Sequence, residues 1–186
     1  MTLTSVTPAD GEAILPLALL KKRIRVKATD EDTDIERMRA QAIDFVERHS
    51  GVALQRRAFV QTDKQFCRSM RLLVGPVASV EGVTYRDTDG TDTALDDAAW
   101  FLGGGYLSAA AGTSWPYASG QEGAVSIEFT AGLEDAEAQA PSLIAAVELM
   151  VGHLFANREG VNVGNIVTPM PFGISALCDQ YRTPGI

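Results

Sequence analysis

The chain has 186 residues, of which 46% are hydrophobic and 22% charged, the proportions of an ordinary globular protein with room for one substantial core. Its formal net charge of −8 argues against binding nucleic acid through a broad basic face. Cys67 and Cys178 have no metal-binding or redox spacing, and residues 1–16 lack the pattern of a signal peptide. These features predict a soluble protein that is made inside the cell and keeps its thiols reduced.

A short amphipathic helix is predicted from about Pro16 to Val26, after a small, polar and extended stretch at residues 1–13. Its basic residues gather near the C-terminal end, where they suit the helix dipole; they are Lys21, Lys22, Arg23 and Arg25. A solvated helix face is the ordinary interpretation of such a cluster. The functional alternative is a basic patch that meets nucleic acid or an acidic partner.

A second amphipathic helix is predicted over Ile35–His49, with apolar residues at spacings of three and four. The acidic stretch Thr29–Asp34 directly precedes it. Carboxylates at that position cap free N–H groups and complement the positive end of the helix, so we favour capping over a cation site. Gly51 is placed to end the helix in the left-handed conformation.

The pattern then changes to segments of strand length that are rich in β-branched and aromatic residues. They are Leu54–Gln61, Met70–Val74, Val77–Arg86 and Val125–Thr130. Gly75-Pro76 and Asp89-Gly90 punctuate them as turns. A further hairpin is predicted from Ala99–Leu102 and Gly105–Ser108 around Gly103-Gly104.

Two turns in this region admit a ligand-binding alternative. The acidic run Asp87–Asp92 resembles a calcium loop, but it lacks the ordered ligand spacing and the closing glutamate, so a hairpin turn is favoured. The glycine triplet at 103–105 has no following helix or Lys-Ser/Thr pair of the kind that cradles phosphate.

The loop after it carries Trp115-Pro116-Tyr117, which either packs over a core edge or serves a partner surface.

The stretch Pro141–Gly160 predicts a central helix that is apolar on most of its circumference and begins with a proline suited to a first turn. Its charged interruptions and limited apolar length argue against a membrane span. Val161–Pro171 is apolar but broken by glycine and proline, which favours an extended arm. Phe172–Tyr181 predicts a last short helix, followed by a loose end.

The order of elements predicts an α+β fold in a single domain, residues 1–186, with 1–13 and 161–186 as extended arms. The N-terminal helix, the second amphipathic helix and the central apolar helix form a small helical core. An antiparallel β-sheet and hairpin region is inserted into it.

No recognised catalytic or cofactor-binding motif is present, and His49 and His153 each lie within an apolar helical pattern. We therefore expect no enzyme activity, no cofactor and no metal. An enzyme whose site assembles from distant residues and a small cytoplasmic interaction domain stay open as alternatives.

Several pieces of the chain, in this order and spacing, resemble the head–tail connector (adaptor) proteins of long-tailed bacteriophages and gene transfer particles. The resemblance runs from about Leu15 to Arg182. Its pieces are LPLALLKKRIRV at 15–26, the acidic Asp30–Asp34 before FVERHSGVAL at 45–54, LLVGPVASVEGVTYRDTDG at 72–90, Trp115-Pro116, IEFTAGLED at 127–135, FANRE at 155–159 and PFGISALCDQYR at 171–182.

The resemblance implies a non-enzymatic virion protein that sits below the portal as a ring, most naturally of twelve copies. It would join the capsid to a tail-side stopper, terminator or tail protein, with DNA passing through its lumen without sequence-specific binding. It would be assembled in the bacterial host cytoplasm, and no membrane is implied. Within that role we expect contacts to the portal or to neighbouring copies from Trp115, Arg158, Ile166, Pro169, Phe172, Leu177, Tyr181 and Arg182.

Overall fold

The structure is a computed structural model that describes residues 1–157 and 172–182. The helices in these residues are α1 Gly11–Ile14, α2 Leu17–Ile24, α3 Asp32–Ser50, α4 Ala136–Gln139, α5 Pro141–Ala156 and α6 Phe172–Asp179. The strands are β1 Thr2–Ser5, β2 Arg57–Asp63, β3 Ser69–Arg71, β4 Val77–Arg86, β5 Asp92–Ala94, β6 Trp100–Gly103, β7 Tyr106–Ala109 and β8 Val125–Ala131. This mixture of helices and antiparallel sheets confirms the predicted α+β class.

The chain divides into two compact units, each built from two stretches of sequence. The sheet unit comprises Met1–Pro8 and Arg56–Gly132, and the helical unit comprises Ala9–Gln55 and Leu133–Ile186. The backbone N–H of Leu133 donates to the carbonyl of Ala53 at 3.0 Å. The chain therefore leaves the helical unit and returns to it at neighbouring points.

The sheet unit contains a five-stranded sheet in the order β1-β2-β8-β4-β5 and a three-stranded sheet in the order β3-β7-β6, with antiparallel pairing throughout. In the central strand β8, buried and more exposed residues alternate with the period of two that a half-buried strand requires. Phe129 of β8 lies opposite Phe59 of β2, and their rings stack at 5.7 Å. The first predicted arm thus contributes an edge strand, β1.

A fully buried glutamine of β2 bonds to the end of β3 and to the segment that follows it. The amide nitrogen of Gln61 donates to the carbonyl of Arg71 at 2.9 Å, and its amide oxygen accepts from the backbone N–H of Leu73 at 2.9 Å. Both halves of the amide are satisfied, so its burial carries no penalty for an unmade hydrogen bond.

The core of the helical unit is formed by the apolar faces of its helices. Its buried residues include Leu20, Ile35, Ala42, Val46, Leu143, Ala146, Val147, Val151, Ile174 and Cys178. The core side of α5 is buried as predicted, yet Leu149 on the same helix is 52% exposed. The apolar circumference of α5 thus exceeds what this unit covers.

Helix α3 begins earlier than its hydrophobic pattern, within the acidic stretch. Asp32 and Asp34 occupy its first turn, where their charge complements the helix dipole, and Gly51 ends it with φ of 74°. The N-cap residue Glu31 makes no side-chain cap hydrogen bond. The prediction of side-chain capping is therefore wrong at this helix, while the prediction of favourable charge at its N-terminal end holds.

Candidate interface surfaces

The last helix, α6, packs its buried face into the core of the helical unit. Ile174 and Cys178 are fully buried, and burial raises the pKa of the Cys178 thiol, so this cysteine is an inert packing residue. At the rim, His49 Nε2 lies 3.0 Å from Asp179 Oδ1, and the His49 ring stacks on Phe45 at 5.7 Å. The sequence did not indicate this pair, because its members are 130 residues apart.

The predicted contact residues near the C-terminus differ in exposure, and some of them lie outside the described residues. Leu177 and Tyr181 are half-buried against the core of the helical unit, and Arg182 is exposed. Phe172 is the first residue of α6. Arg158, Ile166 and Pro169 lie outside the described residues, as does the predicted arm Val161–Pro171. Among the predicted C-terminal contact residues whose exposure the structure describes, Arg182 is the one that is exposed and therefore accessible to a partner.

Trp115 packs inside the sheet unit. Its ring lies parallel to that of Phe66 at a centroid distance of 4.6 Å, and Phe66 in turn meets the edge of Tyr85 at 5.9 Å. Two residues further on, Tyr117 is 90% exposed. The two alternatives for this loop were packing over a core edge and contact with a partner. Trp115 follows the first alternative, whereas Tyr117 exposes its aromatic ring to solvent.

The acidic turn between β4 and β5 is accounted for by hairpin geometry. One oxygen of Asp87 accepts from the backbone N–H groups of Asp89 and Thr91, both at 2.9 Å. Arg86 pairs with Asp92 through two hydrogen bonds of 2.8 and 3.0 Å, which lowers the pKa of the Asp92 carboxyl. Within residues 1–157 and 172–182, no group of three or more His, Cys, Asp or Glu side chains is arranged to hold a metal ion.

A buried arginine joins α3 to the N-terminal segment of the helical unit. Arg39 Nη1 donates to Glu12 Oε2 at 2.7 Å and to the carbonyl of Leu15 at 2.9 Å. The hydrogen bond from Arg39, together with one from the backbone N–H of Leu17, holds the pKa of the Glu12 carboxyl below its usual range. A Cβ at Gly11 would lie 2.8 Å from Arg39 Nε, so glycine leaves room for the guanidinium.

The predicted basic patch lines an open groove of about 850 Å³ on the helical unit, which we name the basic groove. Apolar atoms of Leu17, Ala18 and Val26 line it together with charged residues. These are Glu12, Lys21, Lys22, Arg25, Lys27 and Asp32. Lys21 is paired with Asp32, whereas in the described residues no carboxylate lies within ion-pair distance of Lys22, Arg25 or Lys27.

A second, smaller cavity of about 350 Å³ on the same unit has the opposite charge. Its acidic members Glu134, Asp135 and Glu137 are all exposed, and we name the segment 134–137 the acidic corner. Leu19, 48% exposed, lies on its wall. Asp135 accepts from the backbone N–H of Ala138 at 3.0 Å, which caps α4 and orients the segment.

The described part of the chain has no helix with the length and apolarity needed to cross a membrane. No protein-family profile matches the sequence, and no curated protein sequence matches it. Solved structures do match.

A chain from the neck of an empty gene transfer agent particle computed with C6 symmetry is 29% identical, with a TM-score of 0.78. A chain from the virion of a native gene transfer agent particle is 28% identical, with a TM-score of 0.78. A chain from the neck of a native particle computed with C12 symmetry is 27% identical, with a TM-score of 0.77. Each match covers 100% of this chain and 97% of the other.

The matches extend over the whole length on both sides, so they concern the complete fold and not a shared fragment. They agree with the order of residue patterns that predicted the same kind of particle. These similarities confirm the predicted resemblance to the head–tail connector (adaptor) proteins of tailed bacteriophages and gene transfer agents, and they support a structural protein of the virion neck.

Proposed function

We propose that this connector forms a ring of twelve copies below the portal and joins the capsid to the tail, with DNA passing through its lumen. The observation that supports it best is the full-length match to neck chains in structures computed with C6 and C12 symmetry. A twelvefold ring contains a sixfold axis, so both symmetries are compatible with twelve copies.

The role we propose is structural and not catalytic. Particle necks need surfaces that hold neighbours, and the features described above are of that kind: a charged groove, an oppositely charged corner and an exposed aromatic loop. The net charge of −8 fits a passage from which DNA is repelled, because like charges prevent phosphates from sticking to the wall.

The proposal is tested by mixing the purified chain with purified portal rings from the same particle. Electron microscopy of the mixture should reveal a second ring of twelve copies on one end of the portal. Portals that stay bare at saturating connector, or a connector ring whose copy number does not match, would contradict the proposal.

The portal contact belongs to the C-terminal part of the chain in this proposal. Arg182 is exposed, so Arg182→Ala, alone or with deletion of residues 183–186, should weaken co-sedimentation with the portal without changing the melting temperature. Arg48→Ala removes another exposed arginine, in the last turn of α3, and is the matched control. Equal co-sedimentation of all variants would remove this assignment.

We also propose that the predicted arm, Val161–Pro171, contributes to ring assembly through Ile166 and Pro169. Ile166→Asp and Pro169→Ala should reduce ring assembly more than folding, which circular dichroism measures separately. A variant that unfolds outright would show that the arm is part of the core.

A further inference from the structure

We infer that the basic groove of one copy receives the acidic corner of the next copy in the ring. The inference rests on the proposed ring and names the surfaces through which its neighbours meet. Its occupant is a second copy of this chain, identified by charge and by the apolar surface that accompanies the charge.

Three cations of the basic groove form no ion pair within the described part of their own chain. Two other cations of the same cluster are neutralised, Lys21 by Asp32 and Arg23 by Glu148. Lys22, Arg25 and Lys27 are exposed at the groove without such an ion pair in residues 1–157 and 172–182. On a chain with a net charge of −8, this is a local excess of positive charge.

The wall of the groove favours a peptide over a nucleic acid. Leu17, Ala18 and Val26 contribute apolar surface to the groove beside the cations. A phosphate backbone would not cover this apolar surface, which would stay exposed to water. A protein segment that presents carboxylates beside small or apolar side chains satisfies both parts of the surface.

The acidic corner has this composition. Glu134, Asp135 and Glu137 line the cavity, the exposed Leu19 lies on its wall, and Ala138, which follows Glu137 in sequence, is exposed. The negative charge of the acidic corner is opposite to that of the open cations of the basic groove, and the apolar side chains of each surface can cover those of the other. Because Asp135 caps α4, the segment is already ordered before contact.

The two surfaces point in different directions from the same helix. Leu17 lines the groove and Leu19 the acidic corner, and two residues correspond to about 200° of rotation around an α-helix. One copy can therefore offer its groove to one neighbour and its corner to the other. Such a heterologous contact repeats from copy to copy, and it forms a ring when the rotation between copies closes.

Charge reversal tests the contact. We propose a groove variant, Lys22→Glu with Lys27→Glu, and a corner variant, Glu134→Lys with Glu137→Lys, each studied alone, mixed and combined in one chain. Sedimentation velocity, with and without purified portal rings, measures the assembly. Each variant alone should assemble roughly tenfold more weakly or worse, because like charges then face each other.

The equimolar mixture should regain assembly, since every junction in an alternating ring again joins opposite charges. The chain that carries all four changes should regain it too. The matched control for the groove variant, Arg37→Glu with Arg68→Glu, makes the same change in net charge as that variant on exposed residues outside both surfaces and should assemble like the wild type. Raising the salt concentration should weaken wild-type assembly.

The outcomes separate this inference from the proposed function. If wild type and all variants assemble equally, or if neither the mixture nor the combined variant recovers, the groove–corner contact is overturned while the ring stands. If the wild type forms no multi-copy assembly in either condition, the proposed ring fails and the contact fails with it.

Discussion

Arg39 carries a charge into the helical unit, where its side chain is 8% exposed. Its guanidinium meets a carboxylate on one side and a backbone carbonyl on the other, and this pairing is what makes burial of an arginine tolerable. The partner carboxylate belongs to Glu12, whose side chain is 60% exposed. One end of the pair is therefore fixed by packing and the other can respond to pH.

Glu12→Gln should flatten the pH dependence of stability in acid. The pKa of Glu12 is lowered in the folded chain, mainly by the hydrogen bond from Arg39, so the unfolded chain binds more protons as the pH falls. The stability that ionised Glu12 contributes is complete above the ordinary glutamate pKa of about 4.3. It is lost as the pH falls through the lower pKa that Glu12 has in the folded chain. Urea unfolding between about pH 3 and about pH 7, on both sides of that pKa, measures the slope.

A Glu12→Gln chain with the wild-type slope would contradict this account. Repeating the exchange in an Arg39→Lys background separates the guanidinium from the second donor, the backbone N–H of Leu17. Glu12 is exposed, so we expect a change in slope and not a large loss of stability at neutral pH.

The cations near α2 show how much of the candidate site the sequence could predict. Their clustering is visible in the sequence, and a partner surface is one of its two interpretations. The division between neutralised and open cations is not visible, because Arg23 is paired with Glu148, a residue 125 positions away. Only the fold decides which charges stay available to a neighbour.

Helix α5 supplies much of the core of the helical unit, and its buried and exposed faces contribute unequally to the free energy of unfolding. Leu143→Ala removes a fully buried side chain and should lower the free energy of unfolding by about 2–5 kcal/mol. Leu149→Ala makes the same change at a position that is 52% exposed and should cost no more than about 0.5 kcal/mol. Denaturant unfolding of the two variants measures the difference.

The same two variants also report on the surplus apolar face. If Leu149→Ala reduces ring assembly while its stability stays at the wild-type level, Leu149 lies in a contact between copies or with the portal. A loss of stability as large as that of Leu143→Ala would mean that Leu149 is covered within the unit.

The longer helices α3 and α5 were predictable because their apolar residues recur at spacings of three and four. Helices α1 and α4 were not predicted, because four residues each are too few to show a helical period. The start of the first long strand was also placed wrongly. Strand β2 begins at Arg57 and not at Leu54, because Leu54 is buried in the core of the helical unit. A continuous run of apolar and polar residues cannot reveal where the chain passes from one core to another.

At the scale of the whole molecule, the chain crosses between its units more than once. The helical unit is formed from residues 9–55 and 133–186, and the sheet unit from the rest. The sheet is thus inserted into the helical unit in sequence, as predicted, and β1 from the N-terminus joins the inserted strands.

Removing the sheet unit should leave a folded helical unit. Residues 9–55 joined to 133–186 by a linker of about four Gly and Ser residues would bridge the excision, since each extended residue spans roughly 3.3–3.6 Å. We expect helical circular dichroism and a cooperative thermal transition. A chain that lacks cooperative unfolding would show that the helical unit needs the sheet unit in order to fold.

The hydrogen bond between Leu133 and Ala53 has a consequence for how this lineage can evolve. The insertion begins and ends beside one point of the helical unit, and the entropy of closing a loop rises only slowly with its length. Selection can therefore lengthen, shorten or replace the inserted strands with little cost to the helices. Homologous neck chains should vary most in this insertion and keep the helical frame.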